Sequence, residues 1–505
     1  MNDLDLHTPL GVSVALLPEI VLTVWTMVVL LVAAWRHDRR EDSYLAGWLS
    51  FVGVVLASGA LAVLWLGGAA PLGVPHMIAL DGFRFGADAV ILLVAAATIL
   101  LSLRYVDRQR LLAPEYYVLI LLATVGMLFL AGAEDLIVLF LGLELMSVAV
   151  YVLAGFDRFR RSSAEAALKY FLIGAFASAF LLYGIALVYG ATGETNLIRI
   201  GERLASAPLS LLAALGLGLL LIGFGFKVAA VPFHMWAPDV YDGAPTPITG
   251  FMATGVKTAA FAALVRVLLE GFPTATAIWQ PIIAALAIAT IVLGNTVALA
   301  QRSLKRMLAY SSIAHAGYVL VAVWAGTTLG AGAVCFYLLA YSVTTLASFG
   351  ILASIEHVGS RTVLVDDLEG LYSVRPGAAL ALSICLLSLL GFPGTFGFIG
   401  KWYLIAAAVS EGQYILPVVM VLGSLVSAGY YLPVIMAMTM KPTRSLEAHR
   451  QVSFSWAARA AVAIAVAMIL VFGVWPTGPL ATVLKSAETL GRGTPPVATG
   501  QNQTR

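Results

Sequence analysis

The stretch Phe224-Gly-Phe-Lys-Val-Ala-Ala-Val-Pro-Phe-His-Met-Trp-Ala-Pro-Asp-Val-Tyr-Asp-Gly-Ala-Pro-Thr-Pro-Ile-Thr-Gly-Phe251 sets one lysine inside an apolar run and ends that run on a proline. A charge at mid-bilayer costs roughly 2.5–3.5 kcal/mol on insertion scales, so Lys227 calls for a role. Pro232 has no N–H to offer the carbonyl of Val228, which predicts a break one residue past the lysine. In lipid a freed carbonyl must be met by protein or internal water. A buried lysine beside a broken helix reads as part of an ion path. The alternative is that Lys227 snorkels from a helix end and Pro232 is a simple kink. Against it, the apolar run 209–231 leaves Lys227 well inside, and Lys257 lies central in the next run.

Working outward, the 505 residues are 61% hydrophobic and 11% charged, with a mean hydropathy of +0.95. A soluble globule carries about 25% charged residues, so the chain reads as an all-α polytopic membrane protein. The first apolar run has no preceding basic region or small-residue cleavage pattern, which makes it a span rather than a removable signal peptide. The net charge of +2 gives no reason to expect nucleic acid. Cys335 and Cys385 fall in apolar runs without Cys-x-x-Cys or Cys/His spacing, so neither metal nor iron–sulfur ligation is expected. No glycine-rich phosphate loop sits in a strand–turn–helix setting, so no nucleotide is expected on this chain.

Apolar runs near 12–35, 45–67, 86–103, 115–132, 136–156, 164–190, 209–231, 246–269, 276–300, 307–326, 330–355, 377–409, 414–438 and 455–476 predict about fourteen spans, of which 377–409 is too long for one straight crossing. Arg36, Arg39 and Arg40, then Arg104, Arg108 and Arg110, Arg158, Arg160 and Arg161, Arg302, Lys305 and Arg306, Arg361 and Arg375, and Lys441, Arg444 and Arg450 mark alternate loops. The opposite loops hold only Arg84, Arg199 and Arg203. By the positive-inside rule both termini face away from the cytoplasm, with the Asp239 and Asp242 loop cytoplasmic by alternation alone. Pro393 and the glycines from Gly391 to Gly400 interrupt the overlong run beside Lys401, loosely echoing the break beside Lys227 five spans earlier. An odd offset reverses orientation, so helices 4–8 and 9–13 are expected to form two inverted five-helix repeats with discontinuous helices 7 and 12. The expected units are 1–110, 111–271, 272–440 and 441–505, the last ending in a loose tail beyond Trp475.

With the loop cations set aside, Lys169, Lys227, Lys257 and Lys401 remain within spans, while Arg266 and Arg459 lie near span ends where they can snorkel. Glu144 is the acid that falls near a span centre. It is read either as a proton-transfer group or as a neutral carboxyl bonded to a neighbouring helix. His315 is central too and is equally compatible with a packing residue and a proton carrier. Lys169 enters its span by only a turn and a half, which leaves snorkelling open. Burial disfavours an ammonium and a nearby carboxylate favours it. At about 6 Å and an effective dielectric near 20, a Glu144–Lys227 pair is worth roughly 3 kcal/mol, so opening it would release one proton from the lysine.

Val231-Pro-Phe-His-Met-Trp-Ala-Pro-Asp-Val-Tyr-Asp-Gly-Ala-Pro-Thr-Pro247 resembles the hallmark of the antiporter-like subunits of respiratory complex I, and its Tyr-Asp-Gly-Ala-Pro-Thr-Pro ending is similar to the subunit N branch. Ala166-Ala-Leu-Lys-Tyr-Phe171, Tyr310-Ser-Ser-Ile-Ala-His-Ala-Gly-Tyr318 and Gly391-Phe-Pro-Gly-Thr-Phe-Gly-Phe-Ile-Gly-Lys401 extend the resemblance in order over most of the chain. The resemblance implies a proton-translocating subunit of an NADH:quinone oxidoreductase in the inner membrane of a bacterial cell, partnered by other membrane-arm subunits including antiporter-like paralogues. It assigns proton transfer to Glu144, Lys227, Lys257 and Lys401, with Lys169 and His315 beside them. NAD, FMN, iron–sulfur clusters and quinone would belong to other subunits, leaving this chain without cofactor or redox centre. The competing reading is a subunit of a multisubunit sodium/proton antiporter, which shares lysines and broken helices.

Overall fold

The computed structural model describes residues 3–490 apart from 5, 7, 37–39, 72–75, 112, 207, 357–362 and 443–454. The helices are α1 (Pro9–Ala15), α2 (Leu17–Trp35), α3 (Arg40–Leu66), α4 (Gly82–Arg108), α5 (Glu115–Gly132), α6 (Leu136–Ala154), α7 (Arg161–Thr192), α8 (Leu197–Ala205), α9 (Leu211–Val228), α10 (Ala237–Gly243), α11 (Thr246–Gly271), α12 (Thr276–Ala298), α13 (Leu304–Ala325) and α14 (Thr328–Ile355). They continue as α15 (Leu371–Val374), α16 (Pro376–Leu390), α17 (Phe396–Ser410), α18 (Ile415–Met440), α19 (Trp456–Val474) and α20 (Thr477–Ala487). Among the described residues, 13 helices are long and apolar enough to cross a membrane. The twelfth expected span, 377–409, is instead two short helices, α16 and α17, parted at Gly391–Thr395.

Polar caps set many of the helix starts. The side chains of Asp81, Asp135, Asn196, Ser210, Ser303, Thr327 and Ser455 each accept a backbone N–H from the first turn that follows, satisfying groups that a helix leaves orphaned. The most enclosed helices are α11 and α14, each 94% buried over its apolar window, and α13 at 89%. By contrast α2 and α19, at 28%, form the periphery. Small residues let backbones approach: a Cβ on Gly126 of α5 would stand 2.4 Å from the Met146 nitrogen of α6, and one on Gly294 of α12 would stand 2.6 Å from the Ala314 nitrogen of α13. Helix α8 buries Leu197, Ile200 and Leu204 while Glu202 and Arg203 face out, the pattern of a helix lying on a surface.

Beyond Trp475 the expected loose tail is wrong for residues 477–487. They form α20, which packs on α4 and α14 because Leu480, Val483 and Ala487 present one apolar face. Residues 491–505, and Arg39, Arg361, Arg444 and Arg450 of the basic loops, lie outside the described residues.

Candidate proton-transfer site

Helix α9 stops at Val228, where the sequence predicted the break, and Ala229 turns into the left-handed region with φ 59°. The backbone groups released there are met by protein. The Trp236 indole N–H donates to the Phe226 carbonyl at 3.0 Å, and the Val231 N–H donates to Thr290 Oγ1 at 2.9 Å. Lys227 therefore sits in the last turn of a half-helix, at the end of the helix dipole that favours a cation. Its Nζ donates to Ser147 Oγ at 2.7 Å and Tyr151 Oη at 3.3 Å, with the rings of Phe226 and Tyr151 at 5.2 and 5.4 Å.

Ser147 and Tyr151 follow Glu144 by three and seven residues, so all three share one face of α6. Glu144 is half-buried, and its Oε1 has no hydrogen-bond partner. Among the described residues no ion pair within 4.0 Å joins it to Lys227. Glu144 and Lys227, expected as a pair about 6 Å apart, therefore interact across a gap rather than in contact, because the lysine reaches the hydroxyls one and two turns beyond the carboxyl.

A second group is threaded along α13. Lys257 lies on α11 directly after a π-turn, Met252–Val256, and its Nζ donates to the Ser312 carbonyl at 2.5 Å and to Ser312 Oγ at 2.6 Å. Widened turns of this type frequently mark functional positions in helices. One turn along α13, His315 Nδ1 bonds the Tyr337 hydroxyl and Nε2 lies 3.2 Å from the Tyr431 hydroxyl, which also bonds Ser311. A turn further, the Tyr318 ring lies 4.7 Å below Lys401 Nζ. Lys401 donates to Ser424 Oγ at 2.9 Å and to the Leu390 carbonyl at 3.0 Å. That carbonyl is free because Gly391, with φ 87°, ends α16. Lys257, His315 and Lys401 are thus brought together. Lys227 forms a separate unit, with no direct hydrogen bond joining the two among the described residues.

Lys169 stands elsewhere. It is 41% exposed and paired with Glu165 at 2.6 Å and Asp239 at 2.8 Å. Arg306 also binds Asp239, at 2.8 Å, so the acidic loop that reads as cation-free is clamped by cations from α7 and α13. Burial raises the Asp239 carboxyl, but its hydrogen bonds to Lys169 and Arg306 hold it below the usual range.

Three cations assigned to loops or span ends prove to be interior. Lys305 is 2% exposed and donates to the Ala244 carbonyl at 2.8 Å. Arg84 and Arg266 are both fully buried in ion pairs, so Arg84 is no loop cation and Arg266 does not snorkel. Acids within helices also go beyond the half-buried Glu144: Glu19, Asp88 and Glu270 are each at most 3% exposed. Glu356 is a further interior acid that sequence reading missed, bonded to Thr246 Oγ1 at 2.5 Å and to the Tyr105 hydroxyl at 3.3 Å.

Residues 133–427 match the family described as NADH:quinone oxidoreductase/Mrp antiporter, TM. The NADH-quinone oxidoreductase subunit N of Gemmatimonas aurantiaca is 46% identical over 489 residues, covering 94% of this chain and 93% of that protein. The chain belongs to the subunit N family. A solved chain from "Respiratory complex I from Thermus thermophilus with bound Aureothin" is 38% identical to this subunit N chain, with a TM-score of 0.78, over 92% of this chain and 98% of that one. A chain of the Mrp complex from Dietzia sp. DQ12-45-1b shares the fold, at TM-score 0.82 and 21% identity over 95% and 98% of the two chains. Family membership thus agrees with the resemblance carried by residues 231–247, 310–318 and 391–401.

Proposed function

We propose that this chain is a proton-translocating membrane-arm subunit of an NADH:quinone oxidoreductase, moving protons through Glu144, Lys227, Lys257, His315 and Lys401 in step with quinone chemistry elsewhere in the assembly. One observation carries the reading: three buried lysines each stand at a helix break or π-turn and each donates to a hydroxyl that can relay a proton. An ammonium held by hydroxyls and backbone carbonyls rather than by a carboxylate is poised to lose its proton when its surroundings change. His315, between two tyrosine hydroxyls, links the Lys257 and Lys401 ends of the longer group, and internal water would bridge the gap to Lys227. Lys169 is peripheral on this reading and belongs to the clamp around Asp239.

Glu144 borders an exposed apolar strip of Leu141, Leu145, Val148 and Val152. A half-buried carboxyl there is best accommodated where a neighbouring subunit covers it, as expected of a chain sandwiched in a membrane arm. NAD, FMN, iron–sulfur clusters and quinone reside in partner subunits on this reading. On this reading the enzyme lies in the inner membrane of a bacterial cell with both termini outside the cytoplasm, a sidedness that the alternating basic loops support. The two lysine-bearing breaks, and the matching glycine contacts of α5 with α6 and of α12 with α13, support inverted five-helix repeats.

The test is the intact complex in sealed vesicles carrying a pH-sensitive dye. Lys257→Met should assemble normally and lose at least about tenfold in quinone-coupled proton uptake. Unimpaired pumping would overturn the path. Sodium-driven proton flux by the isolated chain would favour the sodium/proton antiporter instead.

A further inference from the structure

At the end of the bundle opposite the Arg158–Arg161 loop, two buried guanidiniums hold five carboxyls. Arg84 donates from Nη2 to Glu19 Oε1 at 2.5 Å, from Nε to Asp88 Oδ2 at 3.2 Å, and to the carbonyls of Ala79 and Ala15. Arg266 grips both oxygens of Asp81 at 2.8 and 3.0 Å and Glu270 at 2.8 Å, with Glu134 at 3.9 Å. Asp81 joins the halves, since its Oδ1 also accepts the Arg84 N–H at 2.7 Å. The contributors are the starts of α2 and α4, the end of α11 and the α5–α6 connection. Glu270 rides on a second π-turn, Val267–Gly271. His76, whose backbone N–H meets Glu134, and Cys335 of α14 are the neighbouring titratable groups.

Charge cannot balance here with every carboxyl ionised. Five carboxylates against two arginines would leave an excess of three negative charges out of water, at a cost that groups so placed avoid by binding protons. Hydrogen bonding gives an independent sign. Glu19 Oε2, Asp88 Oδ1 and Glu270 Oε2 are shut off from solvent without any hydrogen-bond partner. A fully ionised carboxylate would be expected to recruit donors to both oxygens.

We propose that this cluster is a proton-holding site at one end of the lysine path, with Glu270 as its inner carboxyl and Glu134 as its gate to the surface. It rests on the reading of the chain as a proton translocator. Lys257 and Arg266 are nine residues apart on α11, about 13.5 Å along the axis, a span that a short water chain covers. The transfer is simple to balance. An N–H bond of the Lys257 side breaks, the proton passes through water, an O–H bond forms at a cluster carboxyl, and Glu134 later returns the proton to bulk water. Burial lifts the Glu134 carboxyl to about 7, against the opposing pull of Arg266. For a carboxyl raised in the folded state, the proton is held through mildly acidic conditions and given up as pH rises through about 7.

The experiment is infrared pH-difference spectroscopy on the intact complex in nanodiscs, with pumping measured in vesicles. The wild type should show a protonated-carboxyl stretch that titrates near neutral pH. Glu134→Gln should remove that component and lower pumping by about tenfold, Glu134→Asp should restore most of it with a shifted pH profile, and Glu270→Gln should remove a separate carboxyl component. Carboxyl bands and pH profiles unchanged in both glutamine variants would overturn the proposal, as would a Glu134→Gln complex that pumps with the wild-type profile. Failure of the lysine path itself is read separately. In that case Lys257→Met and Lys401→Met pump normally, whereas the carboxyl bands still report on the cluster.

Discussion

Lys401 lies in the second turn of α17, just past the break that ends α16. It holds an orphan carbonyl and a serine hydroxyl above an aromatic ring, with no carboxylate within ion-pairing distance among the described residues. Lys401→Met keeps a long flexible side chain that packs well, so assembly should be normal while proton pumping falls at least about tenfold. Lys401→Arg keeps the charge but cannot release a proton and should fail as well. Dye-loaded vesicles decide this, because an arginine variant that pumps normally would mean that only a fixed charge is needed. Glu144→Gln should likewise leave the amount of complex unchanged and impair pumping, as measured on the same vesicles; wild-type pumping would make Glu144 a mere packing residue. The lysines were legible because a charge amid apolar residues is costly and conspicuous. Arg84, Arg266 and Lys305 were not, because each sits near the end of an apolar run, where solvent is the default guess. Asp88 and Glu270 stand four residues from their arginines, but other partners are remote in sequence: Arg84 meets Glu19 65 residues away and Arg266 meets Asp81 185 residues away.

Among the elements, the two breaks share a physical logic. Lys227 occupies the last turn of its half-helix, and Lys401 reaches back from α17 to the last carbonyl of α16, so each ammonium lies at the negative end of a short helix. Proline and glycine announce such breaks in the sequence, which is why both were foreseen. The π-turns of α11 were not, since Met252–Val256 and Val267–Gly271 read like any helical segment and the extra residue per turn is imposed by packing. Thr290 of α12 holds the first break closed through the Val231 N–H. Thr290→Val keeps the shape and removes the acceptor, leaving a poorly solvated N–H at a cost of about 1–3 kcal/mol. The expected result is a lower thermal midpoint for the purified complex, together with weaker pumping. An unchanged midpoint would show that water replaces the hydroxyl.

For the whole molecule, the basic loops supply a prediction about sidedness. A reporter active only outside the cytoplasm should be silent when fused after Arg306 and active when fused after Gly412, and the reverse pattern would invert the arrangement. The all-helical, many-span architecture was plain from composition and run length, which follow directly from bilayer thickness. The packing of α20 was not, because a short segment rich in Gly, Pro and Thr carries little periodic signal. Yet this helix lies against Gly82, and just beyond it Thr489 Oγ1 accepts the Gly82 N–H at 3.0 Å across 407 residues of chain. A ribosome adding about 5–20 residues per second needs roughly 20–80 s to make that stretch. For that interval the start of α4 is already synthesised but still lacks its final neighbour. A newborn chain therefore has a built-in waiting time, during which membrane chaperones and proteases can inspect its first three spans.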